Sequence, residues 1–152
     1  MTVNCLIRKA VPQDLAALVS LLQVLFSIEV DFTFNETNQR RGLELMLNDP
    51  AQRCIMVAEL NGEIIGMCTA QLLITTAEGG MAALVEDMVV HREYRKQGIG
   101  KSLLTEIQIW ALAKGAKRLE LLADRNNSPA LEFYRKLNWQ QTQLVCLHKK
   151  PS

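Results

Sequence analysis

Residues 84–104 read Leu-Val-Glu-Asp-Met-Val-Val-His-Arg-Glu-Tyr-Arg-Lys-Gln-Gly-Ile-Gly-Lys-Ser-Leu-Leu, and the architecture follows from what this run does. It opens as a strand, with Leu84, Val85, Met88, Val89 and Val90 apolar and the carboxylates Glu86 and Asp87 set among them. It closes as a helix that carries Leu103, Leu104, Ile107 and Trp110 at helical spacing. Between them lies a basic loop ending in Gly98-Ile99-Gly100. Strand, cationic glycine loop and helix start, in that order, build an anion site out of backbone. The first N–H groups of a helix have no partner within it, and the macrodipole places partial positive charge there. Glycine lets that backbone approach a ligand closely.

At 152 residues the chain has the length of one domain, 1–152, large enough to bury a core. Hydrophobic content of 49% and charged content of 22% are those of a water-soluble globular protein. A net charge of +1 supplies no global field for nucleic acid or a membrane, and neither is expected as a partner. Against this neutral background Arg92, Arg95, Lys96 and Lys101 crowd one short segment, opposed by Glu93. Such a local patch fits a small anionic ligand rather than a polyanion. The N-terminal Met-Thr-Val-Asn-Cys lacks the basic region and apolar run of a signal peptide, and no run is long enough to span a bilayer. A cytoplasmic location is therefore expected. Cys5, Cys54, Cys68 and Cys146 form no CxxC pair and fall in apolar, strand-like segments, so they read as buried reduced thiols. His91 lies past a strand end and His148 has no partner pattern, so no metal site is expected.

Working outward, residues 5–9 alternate as a short strand, and Pro12 and Asp14 suit the first turn of a helix running to about Leu25. Asn35 or Thr37 can cap a second helix carrying Leu43, Met46 and Leu47, which Asn48-Asp49-Pro50 ends. The connection between these helices mixes Glu29 and Asp31 with Phe32 and Phe34, and reads equally as a lid or as a solvated junction. Residues 53–60 form a strand, Asn61-Gly62 marks a hairpin, and residues 64–74 return antiparallel. A turn at residues 77–80 leads back into the opening strand. After the long helix, which Gly115 stops, residues 118–123 form a strand parallel to residues 82–90 by right-handed crossover. Ser128-Pro129 starts a short helix, Asn138 suits a left-handed cap, and residues 141–147 read as a last strand. The expected fold is α+β, three-layer α/β/α: a mixed, mostly antiparallel sheet with a central β-α-β unit and helices on both faces.

Three loop patterns compete at the glycines. A P-loop would end in Gly100-Lys101-Ser102, but its first glycine would fall at Arg95. A dinucleotide fingerprint needs a glycine where Leu103 stands. The pattern Arg/Gln-x-x-Gly-x-Gly/Ala, here Arg95-Lys96-Gln97-Gly98-Ile99-Gly100, fits directly after a strand. At these residues the chain resembles the GCN5-related N-acetyltransferase (GNAT) superfamily. A second stretch, Asn127-x-x-Ala130-x-x-Phe133-Tyr134-x-x-Leu137-x-Trp139, is similar to another family motif, with Asn138-Trp139 where Gly-Phe is usual.

The resemblance implies acetyl-CoA as cosubstrate and a small-molecule or peptide amine as acceptor. It places the pyrophosphate on a loop comprising Arg95, Lys96, Gln97, Gly98, Ile99, Gly100 and Lys101. It places the pantetheine along the edge of Met88, Val89 and Val90. An alkyl ammonium, pKa near ~10, must lose a proton before attack. Glu86 is the first candidate for that base. Asp87 is the alternative, expected on the opposite face by alternation unless a bulge intervenes. Tyr134 matches the family's proton donor to the leaving thiolate, and the Val89 N–H suits the oxyanion. Asn127 reads either as a bond to cofactor backbone or as loop and cap chemistry. A homodimer is common in the family. A non-catalytic acyl-CoA-binding or regulatory module is the alternative function, and a nucleotide-binding phosphotransferase a distant third.

Overall fold

The computed structural model describes residues 5–151; the N-terminal residues 1–4, on which the absence of a signal peptide was read, lie outside them. The contacts within the chain divide into two units, Met1–Leu121 and Leu122–Ser152.

The first unit holds a five-stranded sheet in the order β1-β2-β3-β4-β5: β1 Leu6–Lys9, β2 Arg53–Leu60, β3 Glu63–Thr75, β4 Gly80–Val90 and β5 Ala116–Leu121. The first four strands pair antiparallel, and β5 joins β4 in parallel. Asn61 and Gly62 both adopt positive φ (52° and 81°), the conformation that makes the β2–β3 turn a tight hairpin. The helices are α1 Leu15–Ile28, α2 Glu36–Leu47 and α3 Ile99–Ala113. A turn of 3-10 helix, Pro12–Asp14, precedes α1, which runs beyond the expected end at Leu25 because the apolar spacing continues to Ile28. Asn35 caps α2, its side chain accepting the Asn38 N–H at 3.0 Å.

Adjacent residues on β3 show which helices cover which face. Met67 belongs to the core with Leu18, Leu22 and Leu43 of α1 and α2. A Cβ on Gly66 would instead meet Leu103 and Ile99 of α3. Since neighbouring strand residues face opposite ways, α1 and α2 cover one face and α3 the other. The core beneath α3 centres on Leu103 and Ile107, both fully buried. Asp14, 8% exposed, ties β1 to α1. It accepts both Arg8 terminal nitrogens (2.8 and 3.1 Å) and the Val11 N–H (2.9 Å), and Arg8 also reaches Glu59.

The second unit carries α4, Ser128–Lys136. Its N-cap is Asn127 rather than Ser128, because the Asn127 side chain accepts the Ala130 N–H at 3.2 Å. Asn138 takes the left-handed conformation (φ 70°), as its position after a helix required. The strand expected over residues 141–147 is not formed. A strand needs a neighbour's ladder, and among the described residues none pairs there; Leu144, Val145 and Leu147 stay exposed. Cys54 and Cys68 are buried as expected, whereas Cys146 on this irregular segment is exposed. No helix of the described residues is long and apolar enough to cross a membrane.

Candidate functional site

Within the first unit, β4 is irregular where the two carboxylates stand. Met67 of β3 pairs with Val89 and Thr69 with Glu86, so β4 carries one residue more than β3 over that span. The extra residue makes a β-bulge, with Asp87 at φ 51°. Simple alternation would put Asp87 on the α3 face. The bulge instead brings Oδ2 to 3.4 Å from Thr69 Oγ1, on the α1–α2 face, while that hydroxyl donates to the Glu86 carbonyl at 3.1 Å. Burial, with Glu86 and then Glu29 nearby, pushes the Asp87 carboxyl up to about 6, and Thr69 opposes the shift.

Asp87 lines a cavity of about 680 Å3 together with Leu22 and Phe26 of α1, Asn38 and Met46 of α2, and Gln71 and Arg53 of the sheet. Arg53 is engaged: Nε donates to Gln71 Oε1 at 2.8 Å and a terminal nitrogen pairs with Asp49. Glu86 is exposed. Sequence reading ranked Glu86 first and missed the cavity, whose walls come from positions with no shared motif. The one available signal was the pair of adjacent acids in an apolar strand, a place where a bulge lets both face one side.

Past Val85, which pairs with Leu121, no strand among the described residues continues alongside β4 on the β5 side. The edge of Met88, Val89 and Val90 is therefore open there, while β3 holds the other side through Val89 and Val90. The Val89 side chain is buried in the core. Because the His91 N–H donates to the Ile65 carbonyl at 2.7 Å, this register turns the Val89 N–H and carbonyl toward Met67 of β3. The N–H expected to meet an oxyanion faces the sheet instead. Arg95 Nε donates to the Val90 carbonyl at 3.1 Å, tying the loop to the strand end. His91 Nδ1 accepts the Glu93 N–H, a local turn role. Lys96 (φ 62°) and Gly98 (φ 83°) take left-handed conformations that swing the chain into α3. No side chain caps α3 among the described residues; the ladder begins with the Ser102 N–H to the Gly98 carbonyl, leaving the Ile99, Gly100 and Lys101 amides at the helix start. The Ser102 hydroxyl turns back to the Gly98 carbonyl at 3.0 Å instead of pointing forward as a P-loop serine would. Ile99 is buried, Gln97 half-buried, and Lys96 and Lys101 are exposed.

In the second unit, Tyr134 is half-buried between Phe133 and Trp139, with ring centroids at 5.2 and 6.0 Å. The Trp139 N–H donates to the Tyr134 carbonyl, closing the helix end. Asn127 Oδ1 is committed to its cap bond.

Residues 16–139 match the model of the acetyltransferase (GNAT) family. An acetyltransferase of Pectobacterium atrosepticum is 25% identical over 95 residues, which span 62% of this chain and 63% of that protein. An aminoglycoside acetyltransferase from an uncultured soil metagenomic sample, solved with trehalose, superposes with a TM-score of 0.80 at 25% identity, covering 97% of each chain. A second aminoglycoside N-acetyltransferase, solved with CoA, has a TM-score of 0.84 at 18% identity over 98% of this chain and 96% of its own, and shares the fold.

Proposed function

Because this chain belongs to the GNAT family of acetyltransferases, we propose that it transfers an acetyl group from acetyl-CoA to a primary amine of a small molecule or peptide. The observation that carries this reading is the open β4 edge past Val85, running directly into an uncapped, glycine-led helix start. The helix-start amides of Ile99, Gly100 and Lys101, with Lys96, Gln97 and Gly98 before them, receive the pyrophosphate, where dipole and free N–H groups favour anions. Arg95 steadies that loop. The edge of Met88 and Val90 pairs with the pantetheine. Asn127 keeps its amide N–H groups for the cofactor backbone while its oxygen caps α4.

Attack needs a neutral amine. A carboxylate of the Glu86–Asp87 pair takes one ammonium proton, the nitrogen lone pair adds to the thioester carbon, and the C–S bond breaks as the carbonyl re-forms. Tyr134 donates to the departing thiolate; a phenol near ~10 and a thiol near ~8.5 are close enough for that transfer once aligned.

Purified protein given acetyl-CoA and an amine panel is expected to release CoA. Tyr134→Phe should lower kcat by about 10²-fold or more with little change in the KM for acetyl-CoA. Calorimetric CoA binding without turnover of any amine would favour an acyl-CoA-binding module instead.

A further inference from the structure

We infer that Asp87, rather than Glu86, is the carboxylate that receives the acceptor ammonium and takes its proton, and that the acceptor enters through the cavity bounded by α1, α2 and the sheet. The inference rests on the acetyltransferase reading and adds which residue meets the substrate, and from which side.

Three observations converge. The bulge turns Asp87 onto the cavity face, where it forms part of the wall with Leu22, Phe26 and Gln71, while Glu86 stands exposed. Asp49, the other carboxylate of that wall, is held by Arg53, whereas Asp87 has no ion pair among the described residues. A cation entering the cavity therefore meets Asp87 as the carboxylate still to be neutralised. Thr69 completes the arrangement. Its hydroxyl stands 3.1 Å from the Glu86 carbonyl and 3.4 Å from Asp87 Oδ2, a contact that favours the ionised carboxyl and opposes the rise caused by burial. That contact orients Oδ2 on the cavity face and keeps the carboxylate form available to receive an ammonium.

The charged and titratable groups around Asp87 favour the same role. Glu86 on β4 and Glu29 after α1 both raise its affinity for a proton, beyond the effect of burial. On neighbouring β3, burial and the Asp87 charge push the Cys68 thiol up, so it stays protonated and does not compete. Glu86 thus tunes Asp87 instead of replacing it. The protons balance. Of the ammonium's three, one passes to Asp87 and then to solvent, one ends on the CoA sulfur through Tyr134, and one stays on the amide nitrogen.

The test compares Asp87→Asn and Glu86→Gln with the full-length parent in CoA release from pH 5 to 9, alongside thermal melts. Expected for Asp87→Asn is a fall in kcat of at least ~10²-fold, an unchanged KM for acetyl-CoA, and loss of the acid limb centred near pH 6. Expected for Glu86→Gln is a kcat within about tenfold of the parent, with that limb moved to lower pH because a neighbouring negative charge is gone. Asp87→Asn that folds and keeps its rate, or Glu86→Gln that loses its rate with an unmoved limb, overturns the assignment and leaves the acetyltransferase reading standing. A parent that releases no CoA with any amine overturns both.

Discussion

Asp87 carries a cost in stability that its chemistry explains. Its folded pKa, about 6, lies above the ordinary carboxylate value near 3.9, so the folded state holds the proton more tightly than the unfolded chain. Stability from this group is therefore full below about pH 4, declines as pH rises toward about 6, and stays reduced above. Asp87→Asn should raise stability at pH 8 by something on the order of 1–2 kcal/mol, read as a higher melting temperature, and the gain should vanish at pH 4. Asp14 behaves oppositely. Arg8 beside it holds its carboxyl below the usual range, so its stabilisation is present above about pH 4 and is lost as the pH falls through its folded pKa. Asp14→Asn should cost about 2 kcal/mol at pH 7 and flatten the acid limb of the melting curve, as read by thermal denaturation at pH 3 and 7. Both acids are visible in the chain, but their opposite environments are not. Asp14 meets Arg8 through a turn of six residues, whereas the surroundings of Asp87 are assembled from α1, α2 and β3.

At the level of elements, the join between β3 and α3 sets how firmly the glycine loop is seated. A Cβ at Gly66 would stand 3.2 Å from Leu103 Cδ1 and 3.5 Å from Ile99 Cγ2. Gly66→Ala should therefore cost about 1–2 kcal/mol in stability and, by pushing the first turn of α3, also raise the KM for acetyl-CoA. Gly98→Ala acts on the same end through the backbone. At φ 83° a side chain is strained by about 1–2 kcal/mol, and weaker CoA binding by calorimetry is the expected result. These elements were legible because each has local punctuation: Asn61-Gly62 for the hairpin, Asn35 for α2, Gly98 and Gly115 around α3. The segment at residues 141–147 shows where such reading stops. Leu144, Val145 and Leu147 have strand character, but pairing is a property of a partner, and no local pattern supplies one.

Across the molecule, the sheet lies wholly within residues 1–121, and the Tyr134 helix lies outside them. The motif at Asn127 and Tyr134 could be read without knowing the sheet, because it is a helix-local pattern with its own cap and its own aromatic cluster. Arg125 and Lys149 are exposed and lie in irregular chain. Brief trypsin treatment should cut at these two positions before any site within the strands, and mass spectrometry of the fragments checks it.

The bulge in β4 has a consequence in terms of length. Before and after it, β4 pairs with β3 in two different phases, offset by one residue. Removing the codon for Asp87 would bring the two halves into a single phase, with Glu86 still opposite Thr69 and Val89 still opposite Met67. Every core residue would keep its side of the sheet. The deletion should leave a folded protein that binds CoA and acetylates nothing. A lineage could lose this activity in one step without rebuilding the fold, and a relative one residue shorter here would be such a case.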